Sequence, residues 1–280
     1  MSLKGYSPDH SQPVKFALGF QFLNEASWLK LHLPVMLDSG VFDGVIAVDG
    51  GSEDGSADII RDVCQGRVAT LGSPLEVAVA DYPWQFNFGE QQNRVIDVCE
   101  SLGYTHYFKW DPDELLFPRD LKSGREMLEH GAKAIKINRL NFEEDRLHYS
   151  PYEYPDIQTR FYELHVGIHW RGKLHASTNV FDLFMDRGDN RPGMRYILYA
   201  PNITIYHYEG IKPLGVRWLK WHNYERTRND LPVVDEIPEN ATLPTPPLKF
   251  VLPFTGPQPL EPVNPHAPYS SEVYHDTTTQ

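Results

Sequence analysis

Through residue 118 the chain sets short apolar runs against polar, turn-rich stretches. Lys15 to Phe22 (KFALGFQF) and Phe42 to Val48 (FDGVIAV) are apolar enough, and short enough, to predict strands buried on both faces. Between them, Ala26 to Leu37 sets Trp28, Leu31 and Val35 at helical spacing, with Pro34 expected to bend or weaken the helix. Ser56 to Cys64 predicts an amphipathic helix with Ile59, Ile60 and Val63 on one side. Val68 to Leu71 predicts a third strand, about Glu90 to Leu102 a helix carrying Val95, Ile96, Val98 and Cys99, and Thr105 to Trp110 a strand that ends at Asp111. This alternation predicts a mostly parallel central sheet covered by helices on both faces. Ligands of such sheets bind at the carboxyl ends of the strands. Asn24, Asp49 and Asp111 all fall there.

The second half is less regular. Ala134 to Ile137 reads as a strand, and Tyr149, Tyr152, Tyr154, Phe161, Tyr162 and Trp170 mark strands and loops of an acceptor side. Leu214 to Arg228 reads as a helix with Trp218, Leu219 and Trp221. Eleven of the 23 prolines lie in the last 49 residues, which excludes regular helix there. The expected division is an N-terminal extension over 1–14, one catalytic domain over 15–228 and a proline-rich strap or tail over 229–280. Within the domain, 15–118 and 119–228 are expected to form two halves.

Charge narrows the function. A formal net charge of -12 with no run of Lys or Arg excludes a general nucleic-acid binder. Any anionic ligand must then be neutralised locally, by a metal, a few cations or backbone N–H groups. Cys64 and Cys99 make neither a disulfide framework nor a zinc set and read as buried thiols of a reducing compartment. The polar, proline-containing Met1 to Val14 is not a signal peptide, and no apolar run approaches the ~20 residues of a membrane span. A cytoplasmic protein, soluble or peripheral to a membrane, is expected.

Two constellations carry chemistry. Asp111-Pro112-Asp113-Glu114 closes an apolar strand with two carboxylates one residue apart, a pattern that suits a hard cation such as Mg²⁺ or Mn²⁺ shared with phosphates, and also fits an ordinary turn. Asp49-Gly50-Gly51-Ser52-Glu53-Asp54-Gly55-Ser56 follows a strand. Its glycines admit close backbone approach by a nucleotide, while Ser52 or Asp54 could equally cap the next helix. There is no Gly-Lys-Ser/Thr of a P-loop.

In order and spacing these motifs resemble glycosyltransferase family 2 and its GT-A relatives of the nucleotide-diphospho-sugar transferase superfamily. Asn24-Glu25 matches the end of the first strand, Val48 to Ser56 matches Val-Asp-x-Gly-Ser-x-Asp-Gly-Thr with Ser56 for the Thr, Gly89 and Asn93 open a later helix, and Asp111 to Glu114 matches Asp-x-Asp-Glu. The likeness spans about Phe16 to His207. Within the family the chain is similar to the lipopolysaccharide-core β-glucosyltransferase branch, through Arg160-Phe161-Tyr162 and Trp170-Arg171-Gly172-Lys173-Leu174-His175. The resemblance implies a single GT-A (Rossmann-like) domain and a hexosyltransferase that moves a sugar from a UDP- or GDP-sugar to a glycan or glycolipid acceptor in polysaccharide biosynthesis. It implies that Asn24, Glu25, Asp49, Gly51, Gly89, Asn93 and Asp111 serve the nucleotide and that Asp111 and Asp113 hold Mn²⁺ or Mg²⁺. His175 and His207 are the candidates to complete the metal shell.

The branch usually carries Glu directly after that His, as general base; here the residue is Ala176. An inverting transfer needs a carboxylate to take the acceptor's proton, and Asp156, Glu143 and Glu144, with Asp145 beside them, are the candidates. Arg94, Lys109, Arg160, Arg171 and Lys173 are candidate phosphate or acceptor contacts, and Trp84, Trp110, Trp170, Trp218 and Trp221 candidate sugar-stacking or core residues. Three other readings share parts of the pattern: a nucleotidyltransferase of similar fold, a nucleotide- or glycan-binding protein without catalysis, and a haloacid-dehalogenase-type phosphatase with Asp111 as nucleophile.

Overall fold

β1 (Phe16–Phe22) divides the molecule into two layers by its alternation. Phe16, Leu18, Phe20 and Phe22 point into one core with α1 (Ala26–Leu37), α2 (Ser56–Cys64) and α4 (Pro118–Glu129), whereas Ala17 points into a second core with α3 (Phe88–Ser101). In the computed structural model the described residues are 13–70, 72–143, 145, 147–174, 176–180, 197–212, 214–229, 231–232, 234, 236 and 252–253. Glu144, His175, nearly all of the expected 229–280 tail and most of the 1–14 extension lie outside them.

Four strands run parallel in the order β3 (Glu76–Asp81), β2 (Gly44–Asp49), β1, β4 (His106–Lys109). β8 (Asp156–Glu163) then pairs antiparallel with β4 and with β6 (Ala134–Glu143), and β11 (Ile197–Gly210) lies parallel to β6. The short β5 (Glu114–Leu115) pairs antiparallel with β11. At the far end β7 (His148–Tyr149) joins β6 to β12 (Leu252–Pro253), while β9 (Trp170–Arg171) and β10 (Ser177–Thr178) form a separate hairpin. α5 (Leu214–Arg228) follows β11. The expected mostly parallel α/β sheet with helices on both faces is the fold observed.

Three expectations shift. The third strand is Glu76–Asp81 rather than a run from Val68, of which Leu71 lies outside the described residues; Val68 makes only an isolated bridge to Pro74 and is 60% exposed. Val77 and Val79, by contrast, pack on the first core. β6 runs past 137 to Glu143, and the long β11 was hidden among aromatic and polar residues. Pro34 sits inside α1 without ending it. Cys64 and Cys99 are free and buried, as expected, and burial pushes the Cys64 thiol up to about 11. Among the described residues no helix is long and apolar enough to cross a membrane.

Arg125 of α4 ties the layers. Its guanidinium meets Asp43 Oδ2 at 3.1 Å, Thr70 Oγ1 at 3.0 Å, Val14 O at 3.0 Å and Val41 O, while Asp43 Oδ2 also accepts the Phe16 N–H at 2.9 Å. Removing the cation strands a carboxylate in a site that is 7% exposed. Arg125→Met is expected to cost about 3–5 kcal/mol in urea unfolding, and a loss below about 1 kcal/mol would show that Asp43 is not held this way.

His106, 9% exposed, has its pKa pushed down to about 4 from 6.5, chiefly by burial and then by Lys133 and Arg125. Between those values the unfolded chain binds a proton that the folded chain does not, so this contribution to stability is present above pH 6.5 and is lost as pH falls toward 4. His106→Gln is expected to remove about 1–3 kcal/mol of that acid-side loss, read from melts at pH 7 and pH 4.5.

Candidate functional site

The loops after β1 and β2 are laced together. Asn24, at φ +53°, accepts the Glu53 N–H on Oδ1 at 2.9 Å and donates its own N–H to Ser52 Oγ at 2.9 Å. The Glu25 N–H reaches Ser56 Oγ and the Ala26 N–H reaches Asp54 Oδ2, both at 2.9 Å. Asp49 Oδ1 accepts the N–H groups of Gly51 (2.9 Å) and Ser52 (2.7 Å), a turn that puts Gly51 at φ +101°. Much of the Asn-Glu and Asp-x-Gly-Ser pattern is therefore scaffolding: Asn24, Ser52, Asp54 and Ser56 hold one another and deliver Glu25 and Asp49 to the sheet's edge.

The two aspartates of the Asp-Pro-Asp turn face different partners. Asp111 is held by Lys109 and lies 3.4 Å from Arg160 Nη2; burial opposes its charge, but Lys109 and then Arg160 hold its pKa at about 2. Arg160 also binds the fully buried Glu114, and Arg139 continues the chain of charges to Asp156. Lys109 and Arg160, considered as phosphate contacts, are thus engaged by the turn's own carboxylates.

Asp113 joins a different group. The backbone of β11 meets the turn through the Tyr208 N–H to Asp113 O (2.9 Å), and residues two apart on a strand share a face. His207 and Glu209 therefore arrive beside Asp113, and one ligand atom from each of the three lies within 4.8 Å of the others. His207 Nε2 is 3.8 Å from Asp113 Oδ2. Ligands bound at about 2.1 Å lie at most about 4.2 Å apart, so this pair already fits one ion and a small contraction admits Glu209. His207 Nδ1 donates to Asn141 Oδ1 at 2.7 Å, which turns Nε2 toward Asp113. Burial first, against the pull of Asp113, lowers the His207 pKa to about 4, so the imidazole is neutral and able to ligate. Two carboxylates and an imidazole suit a divalent cation of the Mn²⁺ kind.

Of the expected metal ligands, Asp113 and His207 come together, Asp111 stands outside the group with Lys109, and His175 lies outside the described residues. Glu209 was passed over in the sequence; its signal was His207-Tyr208-Glu209, the same one-residue spacing as Asp111-Pro112-Asp113.

Glu25 and Lys212 complete the cluster. Lys212 Nζ lies 2.8 Å from Asp113 Oδ2, 3.1 Å from Glu209 Oε2 and 3.3 Å from Glu25 Oε1, and Lys220 Nζ lies 2.9 Å from Glu209 Oε1. Burial raises the Glu25 pKa to about 7, against the opposing pull of Lys212, with Asp113 and Glu209 adding to the rise. It is tuned to exchange a proton near neutrality. The carboxylates considered as bases are differently placed. Burial works against the charge of Asp156, but Arg139 at 2.8 Å and Gln158 at 2.6 Å hold its pKa below the ordinary value. Glu143 is buried with Arg217 Nη2 at 3.7 Å, Asp145 accepts the Leu147 N–H and bonds His148, and Glu144 lies outside the described residues.

Gly89 and Asn93 are used by the protein itself. The Phe88 and Gly89 N–H groups donate to Lys173 O (2.9 Å) and Gly172 O (3.2 Å), and Asn93 binds both the N–H and the C=O of Trp170, at 2.7 and 3.0 Å. A Cβ on residue 89 would stand 2.8 Å from Gly172 O, which is why glycine is needed. The helix opening and the Trp-x-Gly segment are two halves of one joint. Trp84, Phe88 and Tyr224 form a half-buried aromatic wall, with centroids 4.6 and 5.7 Å apart, beside the β2 loop, to which Trp84 is tied through Gly50 O. Trp110 is core and Trp221 is 67% exposed.

No family model matches the sequence, and no curated protein sequence matches it. Solved structures do resemble this chain. A mannosyltransferase from Pyrobaculum calidifontis, in complex with GDP-Man and Mn²⁺, aligns over 83% of this chain and 70% of its own with a TM-score of 0.51 at 11% identity. TarS of S. aureus (residues 1–349) aligns over 70% of this chain with a TM-score of 0.46 and 12% identity for its UDP complex, and 0.47 and 13% for its UDP-GlcNAc complex. The chain spans 60% and 59% of the length of those two TarS structures. What the mannosyltransferase shares with this chain is the fold, of the GT-A type.

Asn93→Ala is expected to destabilise by about 1–3 kcal/mol and to speed amide exchange in residues 168–174 specifically. Unchanged exchange there would remove the joint described above.

Proposed function

We propose that the chain is a metal-dependent glycosyltransferase that moves a sugar from a UDP- or GDP-sugar to a glycan or glycolipid acceptor. The observation that carries this reading is the meeting of Asp113, His207 and Glu209 at the carboxyl end of a GT-A-type sheet. The fold shared with a mannosyltransferase that binds GDP-Man and Mn²⁺ supports it. Within this proposal residues 15–118 bind the donor, 119–228 the acceptor, and 229–280 form a strap; β11 and the turn after it carry the second half's ligands across to the first. The loose sequence match of Arg160-Phe161-Tyr162 and Trp170 to His175 supports a relation to the lipopolysaccharide-core β-glucosyltransferase branch, with a role in polysaccharide synthesis in the cytoplasm.

Asp113, His207 and Glu209 would hold a divalent cation, which would supply electrostatic stabilisation for the negative charge of a leaving diphosphate. This chain's residues do the rest. Asn24, Ser52 and Asp54 fix the loops that present Asp49 and Glu25, and the Trp84–Phe88–Tyr224 wall offers flat faces to a base or sugar ring. Glu25, with its pKa near 7, is the carboxyl best tuned to accept the acceptor's proton; Asp156 and Glu143 stay with Arg139 and Arg217 and order the acceptor side.

The test is Mn²⁺-dependent release of nucleoside diphosphate from a panel of UDP- and GDP-sugars, with and without candidate acceptors. Asp113→Asn is expected to lower kcat/KM by about 10²-fold or more. A wild-type chain that neither turns over nor is thermally stabilised by any of these donors with Mn²⁺ would sink the proposal.

A further inference from the structure

Lys212 lies where a metal would be expected. Its ammonium is buried among carboxylates from three separate elements: Glu25 before α1, Asp113 in the turn between β4 and β5, and Glu209 near the end of β11. Two of those three are also members of the candidate metal set, and the Asp113 oxygen nearest Lys212, Oδ2, is the same atom that faces His207 Nε2. An ion seated between Asp113 and His207 would stand close to the ammonium, with like charges repelling in a site of low exposure.

The surrounding charge sharpens the conflict. Glu25, Asp113 and Glu209 face the ammonium groups of Lys212 and Lys220, so the carboxylates are largely matched by cations without a metal. Adding a divalent ion while Lys212 stays makes the cluster cationic. Lys212 sits in the turn between β11 and α5, on a flexible four-carbon stem, and can move only toward another anion.

Nor do the nearby helix N-termini offer a phosphate an alternative seat. The Ala26 N–H at α1 and the Ser56 N–H at α2 go to Asp54, and at α3 the Phe88, Gly89 and Glu90 N–H groups go to Lys173 O, Gly172 O and Asn87 Oδ1. With those N–H groups taken, side-chain cations and a metal gain weight in meeting a diphosphate's charge.

We propose that Lys212 is a tethered cation that occupies the metal site's carboxylates, and that it transfers to the nucleotide's diphosphate when a divalent ion takes Asp113 and Glu209. Metal and nucleotide then bind as a coupled pair, each making room for the other. The metal arm rests on the residues alone; the nucleotide arm rests on the function proposed above.

The experiment is a Mn²⁺ titration of the full chain followed by the electron paramagnetic resonance signal of free Mn²⁺, with and without UDP or GDP. The proteins are wild type, Lys212→Met, Lys212→Arg and Glu25→Gln, each checked for folding by circular dichroism. Wild type is expected to bind Mn²⁺ weakly alone and about tenfold more tightly with nucleotide, and Lys212→Met to bind Mn²⁺ alone about tenfold more tightly than wild type. Lys212→Arg keeps the charge and behaves as wild type. Glu25→Gln removes one hold on the ammonium without touching a metal ligand, so it shifts affinity in the same direction as Lys212→Met.

Lys212→Met binding no more tightly than wild type overturns the proposal, and if that variant does not fold, unchanged binding by Glu25→Gln does so. Tighter binding in Lys212→Met with no nucleotide effect in any protein upholds the competition and counts against the nucleotide-sugar reading. A nucleotide effect in wild type with Lys212→Met unchanged does the reverse.

Discussion

Three carboxylates brought together at the edge of a sheet repel one another, and the local architecture answers to that repulsion. Glu25, Asp113 and Glu209 come from elements far apart in sequence, and Lys212 touches all three. Without a cation the cluster would protonate or come apart. The high pKa of Glu25, the depressed pKa of Asp113 and the neutral His207 are responses to one shared field, in which burial disfavours charge and Lys212 restores it at chosen places. A second cation set, Lys109 and Arg160, does the same for Asp111 and Glu114 one layer away. Asp111 and Asp113 are two residues apart and feel one another, yet their contacting cations are separate sets, Lys109 and Arg160 for the one and Lys212 for the other.

That separation explains what the sequence could and could not disclose. The strands of the first half were legible because each is buried on both faces and so reads as an unbroken apolar run: β1, β2 and β4 fall within a residue or two of their expected bounds. β3 was missed because it is an edge strand with half-buried residues, and its weak alternation was outweighed by the apolar Val68 to Leu71 nearby. β11 was missed because its fourteen residues mix exposed and buried aromatics with polar side chains, as a strand paired along only part of its length will.

The site was legible in position more than in role. Strand ends pointed to Asn24, Asp49 and Asp111, because a parallel sheet aligns its carboxyl ends whatever its loops contain. Roles depend on partners, and partners come from tertiary contacts. Gly89 and Asn93 carry a spacing that reads as ligand binding, while their atoms meet Gly172 and Trp170. Asn24 reads as a base contact while its amide oxygen caps Glu53. Glu209 had only the one-residue spacing from His207 to mark it and Lys212 had no motif, and the pairing of β11 with β5 brings them to Asp113.

The self-satisfaction of the helix N-termini then carries weight beyond the loops themselves. A fold that leaves such N–H groups open can bind phosphate with backbone alone. Here Asp54, Asn87 and the Gly172–Lys173 backbone take the nearby ones, which stiffens the loops and shifts the burden of anion recognition onto charges that can move. Lys212, on its long stem, is such a charge, and under the proposal above a divalent ion would compete with it for Asp113 and Glu209. In a chain whose net charge is strongly negative, an anionic ligand has to meet its charge in local cations of this kind.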